Sequence, residues 1–283
     1  MYLQSSGYCG YEVWPDTDEK IDCYTYWSRF TVKQIYDKLQ PKRTYTPHIS
    51  NHHSSAGDWN ADVAIHGPQS VRHGWEWYEM GFFASWTPSG SLTLLCFDLP
   101  VKLEKDIQSI FCSQDVSCWC PYAVFLLISD VLLRLYDDSV WTVRNHITSG
   151  SDAHSRQRRS QEADYFLLHE IARHGIHVSE TLSVAVRSLD AMQHHHVRFR
   201  EHNDLIRSEK GRENWDRVGT RFEFQLRFLQ GLLQRSEAND ARIQNEITLV
   251  SAVHDRRYAV ASRTYEDRLS MRQHREIVEL SCR

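Results

Sequence analysis

Residues 151–283 contain no proline. They are rich in Arg, Glu, Leu and Ala, which are good or tolerable helix formers, whereas one interior proline would cost a helix about 3 kcal/mol. Nothing in this stretch forces a helix to stop, and its apolar residues recur at spacings of three and four. Leu167, Ile171, His174, Val178, Leu182, Ala185, Leu189 and Met192 form one stripe. Trp215, Val218, Phe222, Leu226, Leu229 and Leu233 form a second, and Ile243, Ile247, Val250, His254 and Ala261 a third. The polar stretch 237–240 between the last two holds neither Gly nor Pro. One helix is therefore expected from about 213 to about 270, roughly 85 Å at 1.5 Å per residue. A domain of this size cannot cover it, so it must bundle or pair with other chains.

The rest of the chain differs in kind. Residues 1–150 hold eight of the 9 Trp, six of the 7 Cys and every proline. Their charge balance is 11 Lys+Arg against 17 Asp+Glu, or −6, whereas residues 151–283 hold 22 against 20, or +2. We expect an α/β domain over 1–150 and a stalk-like, long-helix region over 151–283, an α+β class. In the first part, 81–86 and 91–97 are apolar runs joined by Thr87, Pro88, Ser89 and Gly90. That turn chemistry predicts a hairpin. Both runs are nearly all apolar, which predicts a central place in a sheet covered on both faces. Residues 28–39 are expected to form a short helix and 48–67 a surface loop. Pro121 fits the first turn of a helix, followed by the buried face Val124, Ile128, Val131, Leu132, Leu135, Val140, Val143 and Ile147. Residues 148–161, with Arg156, Arg158 and Arg159, read as a linker.

Several function classes fall away. A spanning helix needs about 20 consecutive apolar residues. The longest uncharged run, 80–97, is interrupted by its own turn. The first ten residues lack the basic start and apolar core of a signal peptide. Mean hydropathy is −0.54 and net charge −4, neither suited to a multi-span membrane protein or a general nucleic-acid binder. Seven Cys without a CxxC pair read as reduced thiols in a cytoplasmic chain. The phosphate-binding GxxxxGK[ST], the dinucleotide GxGxxG and the hydrolase GxSxG are all absent, and no nucleophile, base and orienter group together, so an enzyme is not expected.

His169, Glu170 and His174 superficially suggest a zinc-protease motif, but these two His are five apart instead of four and point about 140° apart. Glu170, His174 and His177, at i, i+4 and i+7, do share a helix face and form a candidate set for a divalent ion. The alternative, a polar strip at the edge of a packed helix, is the expected one. His194, His195 and His196 cannot converge on one ion and are expected to complement the macrodipole at a helix C-terminus. Cys112, Cys118 and Cys120 lack an evident fourth ligand.

Four stretches together are similar to the cytosolic part of the fungal CorA-like magnesium transporter family. They are 74–83 with 91–97, 121–147 (including Tyr136, Asp137, Asp138, Trp141, Arg144 and Asn145), 168–182, and 242–253. The resemblance implies a mixed α/β/α domain, a long stalk helix and assembly around a pore, with magnesium as the transported ion. It also implies two membrane helices joined by a Gly-Met-Asn loop. No Gly-Met-Asn occurs here, and Met271 is followed by a charged stretch ending at Arg283. The expected function is the cytosolic domain of a metal-ion transport protein that does not conduct alone. Its partner would be itself or a full-length CorA-like paralogue, and membrane association would come only through such a partner. The alternative is a helical interaction or scaffold protein that reuses the fold.

Overall fold

The structure is a computed structural model describing residues 7–15, 21–36, 43–45, 61–63, 74–89, 91–113, 121–157, 165–201 and 209–281. Strands precede helices. β1 (Cys9–Pro15), β2 (Ile21–Tyr36), β3 (Arg43–Tyr45), β4 (Ala61–Val63), β5 (Gly74–Trp86) and β6 (Leu92–Phe97) are followed by α1 (Val101–Ser113), α2 (Pro121–Gln157), α3 (Tyr165–Glu201) and α4 (Glu209–Ser281). The fold is α+β, with long helices. The main sheet is antiparallel in the order β1-β2-β5-β6, and β3 and β4 form a separate ribbon.

The hairpin is present: β5 and β6 pair from Gly81–Phe97 to Trp86–Leu92, and the Thr87 amide donates to the Ser91 carbonyl at 3.0 Å across the turn. Its expected central position holds only for β5. β6 is an edge strand, with Thr93, Leu95 and Phe97 exposed at alternate positions. The expected helix over 28–39 is instead the second half of β2, described as far as Tyr36. β2 is buried on both faces from Ser28 to Ile35, so no polar face marks it as a strand. Its alternation survives in its contacts. Tyr24 and Tyr26 meet Tyr122 and Phe125 of α2, and Gln34 donates to the Leu135 carbonyl at 2.8 Å. Of the expected loop 48–67, residues 61–63 are strand β4 and the remainder lies outside the described residues. The expected linker 148–161 is helix as far as Gln157, because no residue in it breaks α2. The side chains of Arg156, Arg158 and Arg159 lie outside the described residues, as do those of Cys112, Cys118 and Cys120.

Pro121 begins α2 as expected, and all three stripes lie on α3 and α4. α4 runs for 73 residues, about 110 Å. Trp215, Val218, Phe222, Leu226, Leu229, Leu232 and Ile243 bury its first half against α2 and α3. Polar bonds fix the register of that half. Gln225 donates to Asp130 Oδ1 at 2.6 Å and to the Leu126 carbonyl at 3.0 Å, and Arg221 pairs with Asp130. Asn239, fully buried, donates to the Val140 carbonyl at 3.2 Å, and the Arg235 guanidinium lies 4.6 Å from the centre of the Trp141 ring. Ser179 donates to Asp240 at 2.6 Å. Ile247 and Val250 are half-buried against this same core. From Ala252 to Arg272 every described side chain is exposed, including Tyr258, Tyr265, Leu269 and Met271.

Candidate functional site

The most unusual chemistry in the body lies where β2, β5 and α3 meet. Lys33 sits in β2 opposite Trp77 of β5, and Trp75 lies opposite Ile35. Strand alternation puts Lys33, Trp75 and Trp77 on one face. The Lys33 side chain is only 2 % exposed. Its ammonium lies 4.6 Å from the Trp75 ring centre and 4.9 Å from that of Trp77, within cation–π range. Its hydrogen bond goes to His177 Nδ1 of α3, at 2.7 Å. An ammonium can only donate, so Nδ1 is the acceptor and His177 carries its proton on Nε2.

Helical spacing brings the other groups to the same place. His174, one turn before His177, packs its ring 6.1 Å from Trp75, and the His177 ring lies 5.4 Å from Trp77. Glu170 pairs with Arg173 and lies 3.2 Å from His174 Nε2, though outside hydrogen-bonding geometry. Burial governs the protonation states here. It pushes Lys33 down to about 8, with Arg173 adding to the fall and Glu170 opposing it. It pushes His174 down to about 3, reinforced by Lys33, Arg173, His177 and His146, so that ring is neutral at pH 7. His177 is also lowered, first by burial and then by Lys33.

Glu170, His174 and His177 thus reach one region, but their lone pairs do not converge. His177 Nδ1 is occupied by Lys33, and Glu170 by Arg173. A cation would have to displace an ammonium and a guanidinium to collect these ligands. Among the described residues no group of three or more His, Cys, Asp or Glu side chains is placed to hold a metal ion. The arrangement is suited to sharing a proton between Lys33 and His177. Sequence reasoning missed Lys33 because its partners are 42, 44 and 144 residues away. The available signal was a lysine in an apolar strand, with Trp75 and Trp77 two apart.

The three consecutive histidines diverge as their spacing requires, but two serve the core instead of the helix dipole. His194 lies against the Asp190 carbonyl at 2.8 Å, His195 lies 3.4 Å from the Tyr26 hydroxyl, and buried His196 stacks on Trp215 at 3.8 Å. No helix among the described residues is long and apolar enough to cross a membrane.

No family model matches the sequence. An alignment 143 positions long, covering 47% of the chain, is 29% identical to part of notoamide biosynthesis cluster protein M' from Aspergillus versicolor. The match spans 31% of that protein's length.

Proposed function

We propose that this chain is the cytosolic, stalk-bearing part of a CorA-like metal-ion transport assembly, with magnesium as the cargo. It acts by assembly and not by catalysis, and it does not conduct alone. The observation that carries the reading is α4, whose first half is locked to an α+β body while its far half, from Ala252 to Arg272, projects with every described side chain exposed. A free helix of that length has little reason to hold together unless something packs on it. Its partner would be a second copy or a full-length CorA-like paralogue, which would also bring it to a membrane. Expression in cells that lack magnesium uptake and any full-length CorA-type protein should not restore growth at low magnesium. Restored growth would refute the non-conducting reading.

The second reading is a helical interaction or scaffold protein. The exposed run from Ala252 to Arg272 supports it too, since such a surface can take up partners unrelated to transport. A stable assembly with unrelated partners, and none with a CorA-type protein, would select this second reading.

A further inference from the structure

The turn of α3 around residues 174–179 has two faces with opposite duties. Toward the sheet it presents His174 and His177 to Trp75, Trp77 and Lys33. Toward α4 it presents Gly175 and Ser179. A Cβ on Gly175 would lie 2.4 Å from Asp240 Oδ1, and Ser179 bonds both Asp240 and Ser236, at 2.6 and 2.9 Å. Asp240 lies near the end of the buried part of α4, shortly before the exposed run begins. The Lys33–His177 contact and the anchor of α4 at Asp240 are therefore joined by a single helical turn.

The Lys33–His177 contact works only with one proton between the two nitrogens. A protonated imidazole has two N–H donors and no acceptor, and an ammonium has donors only. Protonating His177 while Lys33 is charged removes the hydrogen bond and sets two cations 2.7 Å apart. No carboxylate lies within ion-pair distance of Lys33 among the described residues to absorb that repulsion. The charged and titratable groups around His177 are Lys33 of β2, and Glu170, Arg173, His174 and Glu180 of α3. His146 of α2 acts on His174, and on the opposite side Ser179 bonds Asp240 of α4, on which Glu237 acts in turn. The two cations nearest His177 oppose its protonation, and Glu170 and Glu180 favour it. His177 is half-buried, so protons reach it.

We propose that the Lys33–His177 pair is an acid-operated latch: protonation of His177 breaks the β2–α3 contact and loosens the turn of α3 that anchors α4 at Asp240. This holds whichever partner α4 serves, because it uses only contacts inside the chain. The whole protein is followed by hydrogen exchange, corrected for intrinsic rates, from about pH 7.5 to about pH 4.5, spanning the ordinary imidazole range and the region below it. The native chain should show roughly tenfold faster exchange of amides 236–250 on acidification, about 1.4 kcal/mol of lost protection. Because acid loss at His174 lowers protection throughout the fold, the acceleration at 236–250 should exceed that of the reference segment 126–135 by this factor, and the His177 ring should titrate with the midpoint of that excess by NMR. His177→Gln keeps a neutral acceptor for Lys33 and should abolish the response. Lys33→Met, which has no latch to break, should also lack it. A response that survives either variant overturns the proposal, as does equal acceleration in 126–135 or no acceleration at 236–250.

Discussion

Replacing Gly175 by alanine should destabilise the protein, whereas the same change at Gly231 should stabilise it. Both glycines lie inside long helices, where glycine costs about 1 kcal/mol relative to alanine. Gly231 of α4 has nothing within 4 Å of an added Cβ, so Gly231→Ala should gain roughly 0.5–1 kcal/mol. At Gly175 the added Cβ would meet Asp240 Oδ1 at 2.4 Å and Val143 Cγ1 at 3.8 Å. The carboxylate cannot swing away without giving up Ser179, which holds its other oxygen at 2.6 Å. Overpacking of this kind costs about 1–3 kcal/mol, and a hydrogen bond to a charged group is worth about 1.5–3 kcal/mol. Set against a propensity gain of about 1 kcal/mol, either cost leaves Gly175→Ala roughly 0.5–2 kcal/mol less stable. Urea unfolding of each variant measures both changes. Adding Gly175→Ala to an Asp240→Ala background should reverse its sign, because the clash is gone and the propensity gain remains. Equal stabilisation by Gly175→Ala and Gly231→Ala would refute the close approach of α3 to α4.

Stability should fall with acid because of His174. Its folded pKa of about 3 lies below the unfolded value of 6.5. The unfolded chain binds the extra proton between these values, so stability is fully present above about pH 6.5 and is lost as pH falls toward 3, by an amount on the order of 4–5 kcal/mol. His174→Gln should flatten that part of the profile, and an unchanged acid limb would exclude His174 as its source. Trp215, 3 % exposed and stacked on His196, should cost about 3–5 kcal/mol when changed to Ala, read from the denaturation midpoint. A loss under 1 kcal/mol would mean that the start of α4 is not docked as described.

The long helices were legible because their signal is local. Spacings of three and four run through Leu182, Leu189, Phe222 and Leu229, and no proline interrupts them. The β5–β6 hairpin was legible because Pro88 lies between two short apolar runs. β2 was not, because the sheet and helices bury Arg29, Thr31 and Lys33 as completely as Phe30 and Val32, erasing the alternation that marks a strand. The edge position of β6 depends on which strands pair, and the apolar run 92–97 does not encode that. The helical continuation through 148–157 was missed because Gly150 and the surrounding serines suggested a break, although a helix tolerates both. For the candidate site, i, i+4, i+7 spacing correctly placed Glu170, His174 and His177 in one region. Only the tertiary fold supplies Lys33, the cation that occupies His177, whereas Arg173 is the i+3 neighbour of Glu170 on α3 itself.

The most direct test of the proposed assembly role is co-purification of this chain, tagged, with an untagged full-length CorA-like paralogue from the same genome, in detergent, with mass read by light scattering. The account predicts a mixed complex larger than either component. Tyr258→Asp with Leu269→Asp should abolish it, since both side chains are exposed on the projecting part of α4 and carboxylates placed in a buried contact would go unpaired. A chain that never co-migrates with the paralogue, or one whose complex is indifferent to that double substitution, would contradict it.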